Sequence, residues 1–238
     1  MAKRRYLRYI LIPLTPLLII VVLKIHEVRV SLTDEDTVTI ETVLQEKGIA
    51  LPAGGAAYAE ELTFILSVQD AVLEIAPIDQ GIPYNTDREP KDLFQAGFGL
   101  CYDRSRAIEK ILFYGGFKTR HVAIYSKEGT GSAIRSILTP GVPSHAVTEV
   151  KTRSGWLVVD SNQRWVSLDC NRMPVSIGEI NNNFKDICWD PNFVPVMNSI
   201  YSQDFVYVYG LYSRHGRFYP PYDFFPDINW GEFLNNLL

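Results

Sequence analysis

A segment that changes period, from helical to alternating, constrains this chain more than any other feature. Within residues 97–165, Cys101, Ser105, Ile108 and Leu112 recur at helical spacing, while Asp103, Arg104, Arg106, Glu109 and Lys110 decorate the other positions. That pattern predicts an amphipathic helix opening at Cys101. Gly115-Gly116 supplies its stop, since glycine takes positive φ without strain. Phe117–Ser126 then alternates, with Val122 and Ile124 on one side, and two further strand-like runs follow at Ser144–Val150 and Gly155–Asp160. Thr152-Arg153-Ser154-Gly155 is the turn between them. Two registers are open. One sets Asp160 opposite His145; the other sets it opposite Glu149, roughly 13 Å along the strand at about 3.3 Å per residue.

The residues on these elements carry chemistry. A thiol at a helix N-terminus faces unpaired backbone N–H groups and the positive end of the helix dipole, both of which favour the thiolate. Acyl transfer by a thiol needs that thiolate, a base to hold its proton and a group that fixes the base's tautomer. Cys101, His145 and Asp160 supply one of each. Taken singly, each has a plain reading: an inert cysteine, a satisfied strand histidine, an aspartate that ends a strand. Together, on these elements, they point to catalysis. His26, His121 and His215 are the competing bases; His26 adjoins the N-terminal apolar run, His215 lies in an aromatic tail, and His121 reads as structural. Asn162 and Glu149 are alternative partners for His145. Gln95, six residues before Cys101, is a candidate second donor to an oxyanion beside the Cys101 N–H, weighed against a surface glutamine. Tyr102, Trp156 and Trp165 are candidates for lining a substrate groove.

At Gly99-x-Cys101, Gly116-x-x-x-Arg120-x-Val122, His145-Ala146 and Trp156-x-x-x-Asp160, the chain resembles the transglutaminase-like superfamily of cysteine enzymes in order and spacing. It departs from the pattern at Val147, where that family often carries an aromatic residue. The resemblance implies an α+β fold of papain-like, transglutaminase-like type, with the active-site helix packed on an antiparallel sheet. It also implies the productive His145–Asp160 register and a Cys101 thioester formed from an amide or peptide bond. Water would resolve such a thioester in a hydrolase and an amine in an acyltransferase. The alternative is a non-catalytic binding or scaffold module that kept the fold.

The charge is divided along the chain. Residues 1–30 hold Lys3, Arg4, Arg5, Arg8, Lys24 and Arg29 against Glu27 alone, a local +5; the total of −4 therefore leaves −9 on the rest. An acidic body offers little to a phosphate backbone, which argues against nucleic acid as a partner. Tyr9–Leu23 is an uncharged run of 15 residues rich in Leu, Ile and Val, behind the basic cluster. With Lys24 snorkelling, the run predicts an uncleaved N-terminal transmembrane helix, its start cytoplasmic and its body extracytoplasmic. Leu23-Lys24-Ile25-His26-Glu27-Val28 is the wrong chemistry for a signal-peptidase site. Cys170 and Cys188 are either a disulfide or two small buried residues. The cysteine spacing resembles no zinc motif, so no metal or other cofactor is expected.

In order, the expectation is a basic start and anchor over 1–26 and a helical packing region over 27–76. A catalytic core then spans 77–175, and an aromatic-rich extension of the same domain spans 176–238. The first helix starts at Thr33-Asp34-Glu35-Asp36 and ends at Gly48; the second runs from about Ala56 to Ala76. Residues 77–98 read as a long loop, 127–144 as a flexible insertion, and Asp204–Tyr212 as a further strand. The tail Tyr212–Tyr222 reads as a cover for the core, or as a groove or membrane-interface lining. The expected substrate is a peptide or protein, with cell-envelope peptide or glycopeptide suggested by the anchor.

Overall fold

The computed structural model describes residues 16, 20, 21, 23, 24, 26–83, 88–196, 199–212 and 227–237. Most of the expected anchor, and the tail from 213 to 226 with His215, lie outside the described residues. Among the described residues no helix is long and apolar enough to cross a membrane.

The architecture is α+β. Helices α1 (Asp34–Glu46), α2 (Tyr58–Ile75), α3 (Pro90–Ala96) and α4 (Cys101–Tyr114) precede strand β1 (Lys118–Ser126). A short helix α5 (Ala133–Leu138) leads into the hairpin β2 (Ser144–Thr152) and β3 (Gly155–Val159). Helix α6 (Ile177–Asn183), strands β4 (Phe205–Tyr209), β5 (Leu211–Tyr212) and β6 (Asp227–Ile228), and helix α7 (Trp230–Phe233) complete the chain. The sheet has the order β3-β2-β1-β4 and is antiparallel throughout; β5 and β6 form a separate antiparallel pair.

Local chemistry explains the boundaries. Thr33 caps α1 through its hydroxyl, and Asp36 reaches back to the Thr33 N–H, so two otherwise unpaired donors are satisfied at once. The segment read as a long loop contains α3, because Glu89-Pro90 starts a helix: Asp92 accepts from the Glu89 N–H at 3.0 Å and proline fixes φ at the first position. The supposed flexible insertion likewise contains α5. Gly210 separates β4 from β5 at φ 69°, where a Cβ would lie 2.6 Å from the Asn229 carbonyl oxygen. Only glycine fits there.

The core has two main layers. On one face of the sheet, Ile40, Ile65, Val68, Ile108 and Leu112 of the helices meet Val150 and Leu157. On the other, Val122, Ile124 and Val147 pack with Ile177, Ile180 and Tyr201.

Helix α4 differs from its expectation. Asp103, Arg104, Arg106, Glu109 and Lys110 are all buried, none more than 5% exposed. The amphipathic reading presumes a solvated face, but other chain segments cover that face and neutralise it. Lys110 Nζ lies 2.6 Å from Asp36 and 2.7 Å from Glu89. Arg106 donates to the Arg29 carbonyl at 2.7 Å, to Glu89 at 3.3 Å and to Glu109 at 3.2 Å. Tyr212 Oη donates to Glu109 at 2.8 Å and lies 3.3 Å from Glu232, whose carboxylate accepts the His121 N–H at 2.9 Å. One charged cluster thus ties α1, α3, α4, β5 and α7 together.

His121 sits in this cluster with 1% exposure, stacked on Tyr212 at 4.2 Å between ring centroids. Burial, helped by the Arg106 charge, lowers its pKa to about 3. The folded protein therefore holds it neutral, while the unfolded chain takes up a proton below about pH 6.5. Stability from this group is complete above pH 6.5 and is lost as pH falls toward 3. At pH 4.5 the loss is about 2–3 kcal/mol from this residue. His121→Asn is expected to shrink the drop in thermal midpoint between pH 7 and pH 4.5 by several degrees, read by circular dichroism. An unchanged drop would place the acid sensitivity elsewhere.

Candidate active site

Three chain segments converge at one end of the sheet. Cys101 opens α4, His145 lies at the start of β2, and Asp160 follows the last residue of β3. The helix start depends on Gly99, where a Cβ would come within 2.6 Å of Leu93 Cδ1 and 3.0 Å of Asp103 Cβ. That close approach lets Asp103 cap the helix, accepting the Leu100 N–H at 3.0 Å and the Ile82 N–H at 3.3 Å while pairing with Arg88. Cys101 itself is partly exposed, and a first-turn N–H such as its own has no acceptor within the helix.

His145 Nε2 lies 2.9 Å from Asp160 Oδ2. The Cys101 side chain also acts on this imidazole and favours its charged form; with Nε2 engaged by Asp160, Nδ1 is the nitrogen left for the thiol. Burial opposes the imidazolium, but the charge and hydrogen bond of Asp160, with the contact to Cys101, outweigh it and raise the pKa to about 10. Because this lies above the unfolded value near 6.5, the pairing stabilises the fold fully below that pH. Its contribution is lost as pH rises through about 10.

The register is neither of those expected. Thr152 pairs with Gly155 and Thr148 with Val159, so continuing the ladder sets Asp160 opposite Val147, two residues from His145. That diagonal offset still lets the side chains meet. Asp160 also ends its strand by folding the chain back. Its Oδ1 accepts the N–H groups of Asn162 at 2.6 Å and Gln163 at 2.8 Å, a turn built on the aspartate side chain. Oδ2 is left for His145 and for the Tyr201 hydroxyl, which donates at 2.5 Å. Burial works to raise the carboxyl pKa; the His145 charge and these hydrogen bonds prevail and lower it.

Two residues that sequence reasoning missed position the aspartate. Tyr201 donates to it and packs at a tilt against Trp165, 4.6 Å between ring centroids. Gln69, 1% exposed on α2, directs its amide nitrogen at three carbonyls: Asp160 at 2.7 Å, Gln163 at 3.0 Å and Trp165 at 2.7 Å. The signal for Gln69 was present. It lies in the middle of the apolar face formed by Leu62, Ile65, Val72 and Ala76, where a polar residue needs a buried partner. Gln69→Leu keeps the size and removes the donor. The Gln163 and Trp165 carbonyls keep the Trp165 and Asp160 N–H groups as donors, so the Asp160 carbonyl is the one stranded, at a cost of about 1–3 kcal/mol. The urea midpoint is expected to fall by the equivalent of about 1–3 kcal/mol, and an unchanged midpoint would mean the amide holds nothing in place.

The other sequence candidates fall elsewhere. Gln95 is exposed on α3, whose buried side is turned inward by Leu93; no hydrogen bond from it toward Cys101 occurs among the described residues. Trp156 pairs with Lys151, six residues along β2 from His145, or roughly 20 Å at about 3.3 Å per residue. There it stacks on Arg120, whose guanidinium carbon lies 3.9 Å from its ring and 4.0 Å from that of Tyr209. Trp165 is 4% exposed and donates to the Phe193 carbonyl at 2.7 Å, so it belongs to the core rather than to a groove. Tyr102 is partly exposed, with Arg88 4.8 Å from its ring centroid. Glu149 is occupied by Arg120 and the Ile177 N–H, and Asn162 by Arg104. His26 pairs with Asp227 at 3.1 Å.

A cavity of about 200 Å³ opens beside the cluster, lined by Ser144, His145, Asp160, Asn162, Ser199 and Tyr201 among others. Ser199 Oγ is buried there with no hydrogen-bond partner among the described residues. A larger depression of about 750 Å³ lies between residues 47–53 and α2, and neither a cysteine nor a histidine lines it. The chemistry therefore favours the smaller one. Among the described residues no group of three or more His, Cys, Asp or Glu side chains is placed to hold a metal ion. No protein-family model matches the sequence, and no curated protein matches it.

Proposed function

We propose that this chain is a transglutaminase-like cysteine enzyme that acts on amide or peptide bonds through a thioester at Cys101. One observation carries the reading: the buried imidazole of His145 pairs with Asp160 at 2.9 Å and is influenced by the Cys101 side chain as well. The order and spacing of the motifs shared with the transglutaminase-like superfamily support the same assignment and the papain-like form of the fold.

In this mechanism the Cys101 thiolate attacks the carboxamide carbon while His145 holds the thiol's proton. The backbone N–H of Cys101 faces the oxyanion that develops. Collapse of the tetrahedral adduct expels the amine, which takes its proton from His145. The thioester then yields to water, giving a hydrolase, or to a second amine, giving an acyltransferase. Asp160 keeps the imidazole oriented and compensates its charge; Tyr201 and Gln69 hold Asp160. The apolar run behind Lys3-Arg4-Arg5 supports a membrane anchor with the body outside the cytoplasm, where peptide or glycopeptide of the cell envelope is the substrate class in reach.

The test is the rate at which iodoacetamide alkylates Cys101 in the full chain and in His145→Ala, across pH. Identical profiles would sink the catalytic reading and leave the binding-module alternative.

A further inference from the structure

Two cysteines outside the catalytic cluster face each other. Asp169 pairs antiparallel with Trp189. The Cys170 N–H donates to the Cys188 carbonyl at 2.6 Å, and the Asp190 N–H to the Leu168 carbonyl at 3.1 Å. Those bonds flank the 169/189 pair, so Cys170 and Cys188 stand directly opposite one another at the next position of the ladder. Opposite residues project to the same face, with Cα atoms about 4.5–5.5 Å apart, inside the roughly 4.4–6.8 Å that a disulfide spans. Both thiols are exposed, and both are free. The neighbouring Cys188 side chain raises the Cys170 pKa.

From this placement we propose that Cys170 and Cys188 are a disulfide-forming pair that staples the segment between them. The oxidant is a small-molecule or protein disulfide of the kind found in an oxidising compartment. One cysteine thiolate attacks a sulfur of that disulfide, forming a mixed disulfide and releasing one thiol. The second cysteine attacks the protein sulfur of the mixed disulfide and releases the other thiol. The protein loses two electrons and two protons, and the oxidant gains them as two thiols.

The position of the link gives it a consequence. The segment it closes carries α6, and Trp189 follows Cys188 immediately. Trp189 packs edge-on against Trp165 at 5.8 Å, and Trp165 packs at a tilt against Tyr201, the donor to Asp160. The staple therefore fixes the outer layer of the aromatic stack behind the site. It also leaves Cys101 as the one reactive thiol among the three cysteines of the sequence.

The experiment uses the full chain and, in parallel, Cys101→Ser, each equilibrated with reduced and oxidised glutathione and quenched with iodoacetamide before intact-mass measurement. In oxidising buffer, Cys101→Ser is expected to take up no alkyl group and no glutathione and to remain monomeric. A non-reduced digest should contain the linked pair of peptides, and dithiothreitol should restore two alkylatable thiols. The unmodified sequence should carry, in the oxidising buffer, one alkyl group or one glutathione, on Cys101 alone, and three alkylatable thiols after reduction. In Cys101→Ser, persistent glutathione adducts, intermolecular dimers, or two alkylatable thiols in the most oxidising buffer would overturn the proposal.

Discussion

His145→Ala is expected to slow Cys101 alkylation at pH 6.5 about tenfold and to lower turnover of an amide substrate by about 10²–10⁴-fold. The two figures differ for a physical reason. An unassisted thiol is about 1% ionised at pH 6.5, so a paired thiolate gains roughly 100-fold in population. Part of that gain is returned because a less basic thiolate is intrinsically less nucleophilic. Amide cleavage adds a second demand, a proton for the departing amine, which His145 is placed to meet. The shape of the profile separates the mechanisms better than the rate at one pH. With the imidazole's pKa raised to about 10, the imidazolium persists through neutrality, so if it pairs with the sulfur, alkylation of the unmodified protein should depend less steeply on pH between 6 and 8. In His145→Ala it should climb about tenfold per pH unit, as an isolated thiol does. An equally steep profile in both proteins would mean that the imidazole lies beside the sulfur without activating it.

The elements carrying Cys101, His145 and Asp160 were legible because their signals are local. Helical spacing after Gly99, alternation in β1 and β2, and the four-residue turn at 152–155 are each set by residues adjacent in sequence. The register was not legible, because hairpin turns centred one residue apart are equally compatible with Thr152-Arg153-Ser154-Gly155. The observed Thr152–Gly155 pair lies between the two registers considered. Asp160 was seen as an orienting group or a strand end and turns out to be both, one carboxylate oxygen for each task. Tyr201 carries no signal of its own among the aromatics of the C-terminal region. Its role depends on a contact across 41 positions of the chain. Trp156 misled because its motif position is fixed relative to Asp160 in sequence, whereas a strand carries the two side chains apart in space. The charges of α4 misled most: helical periodicity shows which residues share a face, not whether another part of the chain will cover it.

That covered face yields the largest stability effect. Arg106→Met keeps most of the side chain's length and removes its charge, stranding Glu109, whose side chain is 0% exposed. Breaking a buried pair from one side costs about 3–5 kcal/mol, or roughly 10 °C in thermal midpoint for a chain of this size. The deficit should depend on pH. Burial holds the Glu109 pKa above its ordinary value even with Arg106 present, and burial together with Glu109 raises Glu232 to about 9. A carboxyl whose folded pKa is raised stabilises less and less as pH rises above its unfolded value near 4.5. Without Arg106 the folded pKa of Glu109 rises further, so the penalty should be smallest near pH 5 and larger at pH 8. Arg106→Met with Glu109→Gln removes the titrating partner while keeping an acceptor for the Tyr212 hydroxyl, and it should recover part of the deficit at pH 8 and little at pH 5. Thermal midpoints of the three proteins at both pH values decide the matter. Equal deficits at pH 5 and pH 8 in both variants would show that Arg106 acts through packing on Tyr212, 5.3 Å from its ring centroid, and through its bond to the Arg29 carbonyl. A pH-dependent gap closed by the second substitution would show that charge compensation is what allows the helix bearing Cys101 to be buried on every side.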